Sequence, residues 1–220
     1  EKATFALAPG YVAELVAAEP DVEEPVLTVF DGNGVLYVAE MRSYMQNVEG
    51  TGTKTLRNGR IKRLEDTNGD GRMDKVTVFV DGLNLPRIIL PLDDRIAIRE
   101  TDTMDVYSYR DTDGDGVADQ KELLYKRGSY GRGNNQSVEH QDSGLMWNLD
   151  NHIYLSYNIE RYRFTDRTWK AEKQRGHWTQ WGLTHNEVGD VYWAHNSDPV
   201  AAPYLHPRYL GTVQRLAGKE

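Results

Sequence analysis

The sequence predicts an all-β protein made of repeated four-stranded antiparallel units, which is the architecture of a β-propeller. Short apolar or alternating segments recur along the chain, and each is interrupted by a turn rich in Asp, Asn and Gly. Two further turns, which start at Asp66 and Asp111, repeat one nine-residue pattern. The regular return of hairpins and of one turn motif favours a propeller over the alternative, a β-sandwich of irregular hairpins.

Each predicted unit begins with a hairpin whose two strands are joined by an Asp, Asn or Gly turn. Four such hairpins occur, at Leu27–Val38, Ile89–Ile98, Leu145–Leu155 and Leu183–Trp193. The first three are each followed by a second hairpin, so that two hairpins make one four-stranded blade. These second hairpins are Arg60–Val80, Val106–Tyr125 and about Arg161–Gln174.

The predicted blades form one partial propeller domain over residues 1–220. They cover residues 26–80, 85–125 and 145–175, followed by a half blade at 181–196 and a tail at 197–220. This is about three and a half blades, whereas propellers close with four to eight. An incomplete propeller exposes apolar blade faces and unpaired strand edges. We therefore expect another chain, or a further C-terminal segment, to complete it.

The composition excludes several classes of function. The formal net charge is −8 and no basic stripe is present, which argues against a nucleic-acid surface. No run of about 18 apolar residues occurs, so the sequence predicts no membrane span. The chain contains no cysteine, which excludes disulfides, thiolate zinc sites and C-x-x-C-H haem attachment within it.

The two repeated turns predict calcium sites. Both follow the pattern D-x-[DN]-G-D-G-x-x-D, which places oxygen-bearing side chains around a sharp glycine turn, and such hard ligands select Ca2+. The segments beside them alternate as strands do, so these are cation turns between strands rather than EF-hands. An ordinary turn without a metal is the alternative. The candidate ligands are Asp66, Asn68, Asp70, Arg72 and Asp74 in the first loop, and Asp111, Asp113, Asp115, Val117, Asp119 and Glu122 in the second.

The second loop is the stronger candidate because Glu122 stands at its twelfth position and completes the calcium-loop consensus. The first loop has Thr77 at that position. Loop sites of this kind work mainly where calcium is abundant, which favours a periplasmic or extracellular location.

Several segments resemble a known protein family. They are Phe5–Pro20, Leu36–Tyr44, Gly59–Lys75, Trp147–Tyr154, Gln180–Leu183 and Asn196–Pro199. Together they resemble the N-terminal propeller of the planctomycete and verrucomicrobial "membrane-bound dehydrogenase" proteins, over essentially the whole chain. That propeller is in turn similar to the six-bladed soluble quinoprotein glucose and sorbosone dehydrogenases. The resemblance implies a partial six-bladed propeller that binds Ca2+ and pyrroloquinoline quinone.

One segment, His140–Leu145, resembles the H-Q-x-S-G-R-L stretch that holds the general base of those enzymes. The resemblance implies that His140 removes the proton of a sugar hydroxyl while hydride passes to the quinone, a role that suits an imidazole near neutral pH. Two departures stand against it. Asn158 occupies the place of the aspartate that orients the histidine, and Trp178 occupies the place of an arginine that contacts the quinone.

Polar residues at equivalent hairpin ends predict a ligand pocket, because loops at one end of a propeller converge. Such a pocket would suit a hydroxyl-rich or anionic ligand, with Arg42 and Arg87 as clamps. The candidate cofactor-binding residues are Glu40, Arg42, Arg87, Gln141, Asn158 and Asn196. Four other histidines, His152, His177, His185 and His206, are interpreted as turn or surface residues.

Two hypotheses of function follow. In the first, the chain is a calcium-binding, quinoprotein-dehydrogenase-like propeller that oxidises a sugar or a sugar-derived alcohol. In the second, it is a non-catalytic propeller that binds a carbohydrate or a protein partner, with calcium in a purely structural role.

Overall fold

The computed structural model describes residues 4–53, 55–126, 138, 141–156, 160–173 and 182–194. Within these residues the secondary structure is β-strand without α-helix, as the sequence predicts. Accordingly, no helical segment in this part of the chain has the length and apolar character that a membrane crossing needs.

The strands of the described residues form three four-stranded sheets and one hairpin, each with the strands in sequence order. The first sheet contains β1 Pro25–Phe30, β2 Leu36–Glu40, β3 Gly59–Glu65 and β4 Lys75–Leu83. The second contains β5 Ile88–Leu92, β6 Arg95–Arg99, β7 Val106–Arg110 and β8 Gln120–Tyr125. The third contains β9 Leu145–Trp147, β10 Ile153–Leu155, β11 Glu160–Thr165 and β12 Thr168–Lys173. The hairpin pairs β13 Leu183–His185 with β14 Val191–Trp193.

The described chain forms two compact units, and each is treated by itself below. The first unit comprises residues 4–86, 91–96 and 109–121, and the second comprises 87–90, 97–108 and the described residues from 122 to 194. Sheets of consecutive antiparallel hairpins are the blade structure of a β-propeller, and this confirms the predicted fold class.

The core of the first unit lies around β2 and β3, the two inner strands of its sheet. Every residue of β2 is buried, so this strand packs on both faces and is mostly apolar. Ile61 and Leu64 of β3 are also fully buried. The ring of Tyr37 meets that of Phe79 edge to face at 5.3 Å, which joins β2 to β4.

Both acidic turns are docked through the residue at their eighth position. In the first loop the Met73 N–H donates to the carbonyl of Val16 at 2.9 Å, which ties the N-terminal segment to the sheet. In the second loop the Ala118 N–H donates to the carbonyl of Phe79 in β4, also at 2.9 Å. The two loops therefore repeat a docking contact as well as a sequence pattern.

The second unit has apolar groups on both faces of its β9–β12 sheet. On one face Met146, Tyr154, Val191 and Trp193 form a buried cluster that joins this sheet to the β13–β14 hairpin. On the other face the rings of Tyr125 and Tyr162 stack with their centroids 4.6 Å apart. Burial on both faces is what a blade between two neighbours requires.

We expect Gly116→Ala to destabilise the protein more than Gly114→Ala. Both glycines have positive φ, 89° and 82°, where alanine costs about 1–2 kcal/mol. Only at Gly116 would the added methyl group crowd a neighbour, since it would lie 3.2 Å from Oγ1 and 3.3 Å from Cγ2 of Thr77. At Gly114 no atom lies within 4 Å.

Urea unfolding of the two variants measures this difference. When Thr77→Ala is added to Gly116→Ala, the loss in free energy of unfolding should become smaller and approach the loss caused by Gly114→Ala. Equal losses in both single variants would show that the contact with Thr77 contributes nothing.

Candidate functional site

The described part of the chain contains four of the seven residues predicted for the catalytic and cofactor site. Glu40 and Arg42 lie in the first unit, and Arg87 and Gln141 lie in the second. The other three, His140, Asn158 and Asn196, lie outside the described residues, and their roles stay predictions.

In the first unit, Glu40 and Arg42 both engage Glu23. Glu40 is fully buried at the end of β2, and its Oε1 accepts a hydrogen bond of 2.8 Å from the Glu23 N–H. The Nε of Arg42 lies 2.8 Å from Oε2 of Glu23. Arg42 is therefore compensated by a carboxylate of the chain, whereas Oε2 of Glu40 is buried without a hydrogen-bond partner.

In the second unit, Arg87 is buried and holds the chain on either side of residue 140. Its Nε donates to Oγ1 of Thr101 at 3.0 Å, and its Nη1 donates to the carbonyl of Gln141 at 3.3 Å. A third bond runs from Nη2 to the carbonyl of Val138. A guanidinium has donors in a rigid planar fork, so these contacts fix the backbone at both points.

Gln141 forms a reciprocal pair with Asp102. The Asp102 N–H donates to Oε1 of Gln141 and Nε2 of Gln141 donates to Oδ1 of Asp102, each at 2.8 Å. Gln141 is fully buried, and Asp102 has a φ of 66°, in the left-handed region that aspartate tolerates. Both polar atoms of the Gln141 amide are thus used within the chain, at the turn that contains Asp102.

The next residues are held by a buried ion pair and a serine. Nη1 of Arg99 lies 2.8 Å from Oδ2 of Asp142, with both side chains almost fully buried, and Nη2 bonds the Asp142 carbonyl. Ser156 Oγ accepts hydrogen bonds from the N–H groups of Ser143 and Gly144, at 2.9 and 2.7 Å. We call residues 141–144 and the side chains that hold them the 141–144 bracket.

Sequence reasoning missed most of the bracket. Arg99, Thr101, Asp102, Asp142 and Ser156 were not among the candidates. Their partners lie 12 to 43 residues away in sequence, so no local pattern joins them. The polar run from Arg99 to Asp102 at the end of β6 is the one local signal, because polar groups that become buried need hydrogen-bond partners.

The acidic turns place part of the predicted calcium ligand set together. Carboxylate oxygens of Asp111, Asp113 and Asp115 lie within 4.8 Å of one another and could hold a metal ion. Asp119, at the ninth position, instead receives a hydrogen bond of 3.2 Å from the Thr112 N–H and closes the loop. Glu122 lies on β8, and its role as a ligand stays a prediction.

The first loop has the same internal hydrogen bonds as the second. Asp74 accepts hydrogen bonds from the N–H and Oγ1 of Thr67, as Asp119 does from Thr112. Asp66 accepts from the N–H groups of Gly69 and Gly71 at 2.7 and 2.8 Å. The side chains of Asn68 and Asp70 each bond the N–H two residues further on.

The first aspartate of each loop stays ionised to lower pH than usual. The hydrogen bond from Gly71 is the largest effect that lowers the pKa of Asp66 below its ordinary value. Burial raises the pKa of Asp111, but hydrogen bonds from Gly116 and Gly114 together with the charge of Arg63 outweigh it, so this pKa is also lowered. Both groups are therefore carboxylates at neutral pH, the form that binds a cation.

His152 follows a turn, as expected, but it is buried rather than exposed. Its Nδ1 lies 3.0 Å from the carbonyl of Asp150, and its Nε2 lies 3.3 Å from Oε2 of Glu172 without hydrogen-bond alignment. Arg161 bridges the same two acidic residues, at 3.0 Å from each. This network joins the turn before β10 to β11 and β12. The burial of His152 has no local sequence signal, because Arg161 and Glu172 are brought together by the pairing of β11 with β12.

Comparison with known proteins identifies a family and a fold. A family model described as a domain of unknown function, DUF7133, matches residues 1–219, and no curated protein matches the chain. A gluconolactonase from Xanthomonas campestris is similar in structure, with a TM-score of 0.58 and 11% identity over 90% of this chain and 64% of that one. A second structure, assigned as a gluconolactonase, has a TM-score of 0.54 and 14% identity, over 84% of this chain and 60% of that one.

The PQQ domain of a pyranose dehydrogenase from Coprinopsis cinerea gives a TM-score of 0.46 and 11% identity, over 77% of this chain and 43% of that one. At these identities the likeness to the two gluconolactonase structures concerns the fold alone. The chain spans less than two thirds of the length of either.

We expect Arg99→Met to lower the free energy of unfolding by about 3–5 kcal/mol, because it leaves the buried Asp142 carboxylate unpaired. The double variant Arg99→Met/Asp142→Leu removes both charges and should regain much of that loss. As a control, Arg95→Met removes a partly exposed pair with Asp94 and should change stability by less than about 1 kcal/mol. Denaturant titration measures all three, and a small loss for Arg99→Met would contradict a bracket that depends on this pair.

Proposed function

This chain belongs to the DUF7133 family, and we propose that it is a calcium-stabilised propeller that binds a hydroxyl-rich, sugar-class ligand. In this proposal His140 is the base that can take up the proton of one ligand hydroxyl. The observation that supports it best is the 141–144 bracket. Buried polar networks are used where geometry has to be fixed. Here they fix the segment that directly follows His140.

Two further points favour a sugar-class ligand. The sequence of the His140 segment resembles that of quinoprotein sugar dehydrogenases, and its neighbours Gln141 and Asp142 are held in place by side chains of the chain itself. Two fold neighbours with TM-scores above 0.5 are named as gluconolactonases. A sugar-derived ligand is the class common to these names.

The described residues do not fit the quinone that the resemblance implies. Pyrroloquinoline quinone carries several carboxylates and needs cationic partners. Arg42 is already paired with Glu23, and Arg87 uses three of its nitrogens on Thr101 and two backbone carbonyls. These residues support no catalytic step through a quinone. The dye-reduction assay described below tests a quinone-dependent reaction directly.

The second candidate function is a propeller that binds its ligand without chemistry. It is favoured by Asn158, which stands where the related enzymes have an aspartate and cannot stabilise an imidazolium by charge. The engagement of Arg87 inside the protein favours it as well. In both candidates, we propose that another chain or a further C-terminal segment supplies the remaining blades.

The acidic turns fit a structural calcium ion. The three clustered carboxylates of the second loop are hard oxygen ligands, and the loop is fastened to β4 by the hydrogen bond from Ala118 to Phe79. A cation there would neutralise the mutual repulsion of Asp111, Asp113 and Asp115 and so stabilise the docked loop. A periplasmic or extracellular location, where calcium is plentiful, suits this role.

We expect millimolar Ca2+ to raise the melting temperature and EDTA to reverse the effect, because binding to the folded state alone adds stability. Asp113→Asn/Asp115→Asn should weaken calcium binding about tenfold or more in isothermal titration calorimetry. The matched change in the first loop, Asp70→Asn, should have a smaller effect. A melting temperature that does not change with Ca2+ would contradict a calcium ion that stabilises the fold.

We expect aldoses and aldonates to raise the melting temperature of the protein, while amino acids and nucleotides of similar size do not. If the bound ligand is oxidised, dye reduction with added pyrroloquinoline quinone and Ca2+ should fall at least about 100-fold in His140→Gln, with ligand affinity kept within a few-fold. Binding without dye reduction supports the non-catalytic candidate. Absence of binding to any sugar-class compound would remove both.

A further inference from the structure

Glu40 is a buried carboxylate that is only half satisfied. The residue is 0% exposed at the end of β2, and Oε1 is bonded by the Glu23 N–H while Oε2 has no hydrogen-bond partner. An unsatisfied buried oxygen of a charged group costs more than one hydrogen bond is worth. At such an atom a group from outside the chain can supply the missing hydrogen bond.

The sheet register places Arg60 directly opposite Glu40. The two residues are paired across β2 and β3, so their side chains leave the same face of the sheet from Cβ atoms about 4.5–5.5 Å apart. The two groups are nevertheless not hydrogen-bonded to each other. Nε of Arg60 is buried without a hydrogen-bond partner and lies 3.6 Å from Oδ1 of Asp81, a distance too long for one.

Asn58 adds a third open polar atom at the same end of β3. Its Oδ1 is buried and has no hydrogen-bond partner. Gly59 lies between Asn58 and Arg60, and a Cβ there would be 3.1 Å from the carbonyl oxygen of Glu40. The backbones of β2 and β3 therefore approach closely at the end where Glu40, Asn58 and Arg60 stand.

The charges of these groups select their occupant. A metal cation would be repelled by the Arg60 guanidinium, and an anion would be repelled by the Glu40 carboxylate. A hydroxyl group can donate to Oε2 of Glu40 and accept from Nε of Arg60, so it satisfies both at once. The Asn58 amide can present either its oxygen or its nitrogen to a second hydroxyl on an adjacent carbon.

We propose that Glu40, Arg60 and Asn58 form a subsite for a pair of neighbouring hydroxyl groups of a neutral polyol or sugar. Arg60 keeps a side-chain exposure of 23%, whereas Glu40 is fully buried. The proposal rests on the proposed function for the class of ligand. It identifies different residues, which belong to the first unit and take no part in the 141–144 bracket.

Titration calorimetry with glucose, glucitol and propane-1,2-diol tests the subsite on the intact protein. Glu40→Gln keeps the shape but loses the charge, and Asn58→Ala removes the third group with less disturbance of the core. Each should weaken binding of glucose or glucitol about tenfold or more, which is the expected loss for a charge-assisted hydrogen bond. The control Glu24→Gln changes an exposed carboxylate bonded to Gln46 and should leave affinity within about twofold.

The outcomes separate this proposal from the function on which it rests. If the wild type binds a sugar and Glu40→Gln and Asn58→Ala bind it as tightly as Glu24→Gln does, the subsite is overturned while the proposed function stands. If both variants lose stability but not affinity, a permanently held water occupies the site and the subsite is again overturned. If the wild type binds none of the three compounds, both proposals fail.

Discussion

A guanidinium group that is removed from water has to find its hydrogen-bond acceptors inside the protein. In the second unit this requirement applies to Arg99, which is fully buried, and to Arg87, which is nearly so. Most of their acceptors belong to Val138, Gln141 and Asp142. Because planar guanidinium forks accept little distortion, they hold the backbone carbonyls of these three residues in place.

In the first unit the same requirement is met only in part. There the buried charge is Glu40, and the chain satisfies only one of its two oxygens. Its cross-strand neighbour Arg60 is likewise left with an open donor instead of forming the ion pair that the register allows. Instead, Nε of Arg60 lies 3.6 Å from Oδ1 of the exposed Asp81. The two open atoms are the ones that the proposed ligand hydroxyl would satisfy.

The sequence was sufficient to predict the strands and turns, but it was not sufficient to predict the polar network. Alternation and turn residues are local signals, so the hairpins around Asp31–Gly34 and Asn186–Gly189 could be placed without tertiary information. The partners of Arg87 and Arg99 are decided by strand register and loop path over 43 to 54 residues. For this reason Arg87 looked like a ligand clamp and Gln141 like a cofactor-binding residue, although the described structure engages both within the chain.

The departure of the first acidic loop from the calcium consensus also has a structural explanation. Its twelfth position is Thr77, whose side chain lies against Gly116 of the second loop so closely that a Cβ on that glycine would be 3.2 Å away. A longer acidic residue at position 77 would crowd Gly116 of the second loop. Docking of the second loop on β4 therefore disfavours glutamate at this position. The repeat that defines both loops has diverged at the position where the strand after the first loop contacts the second.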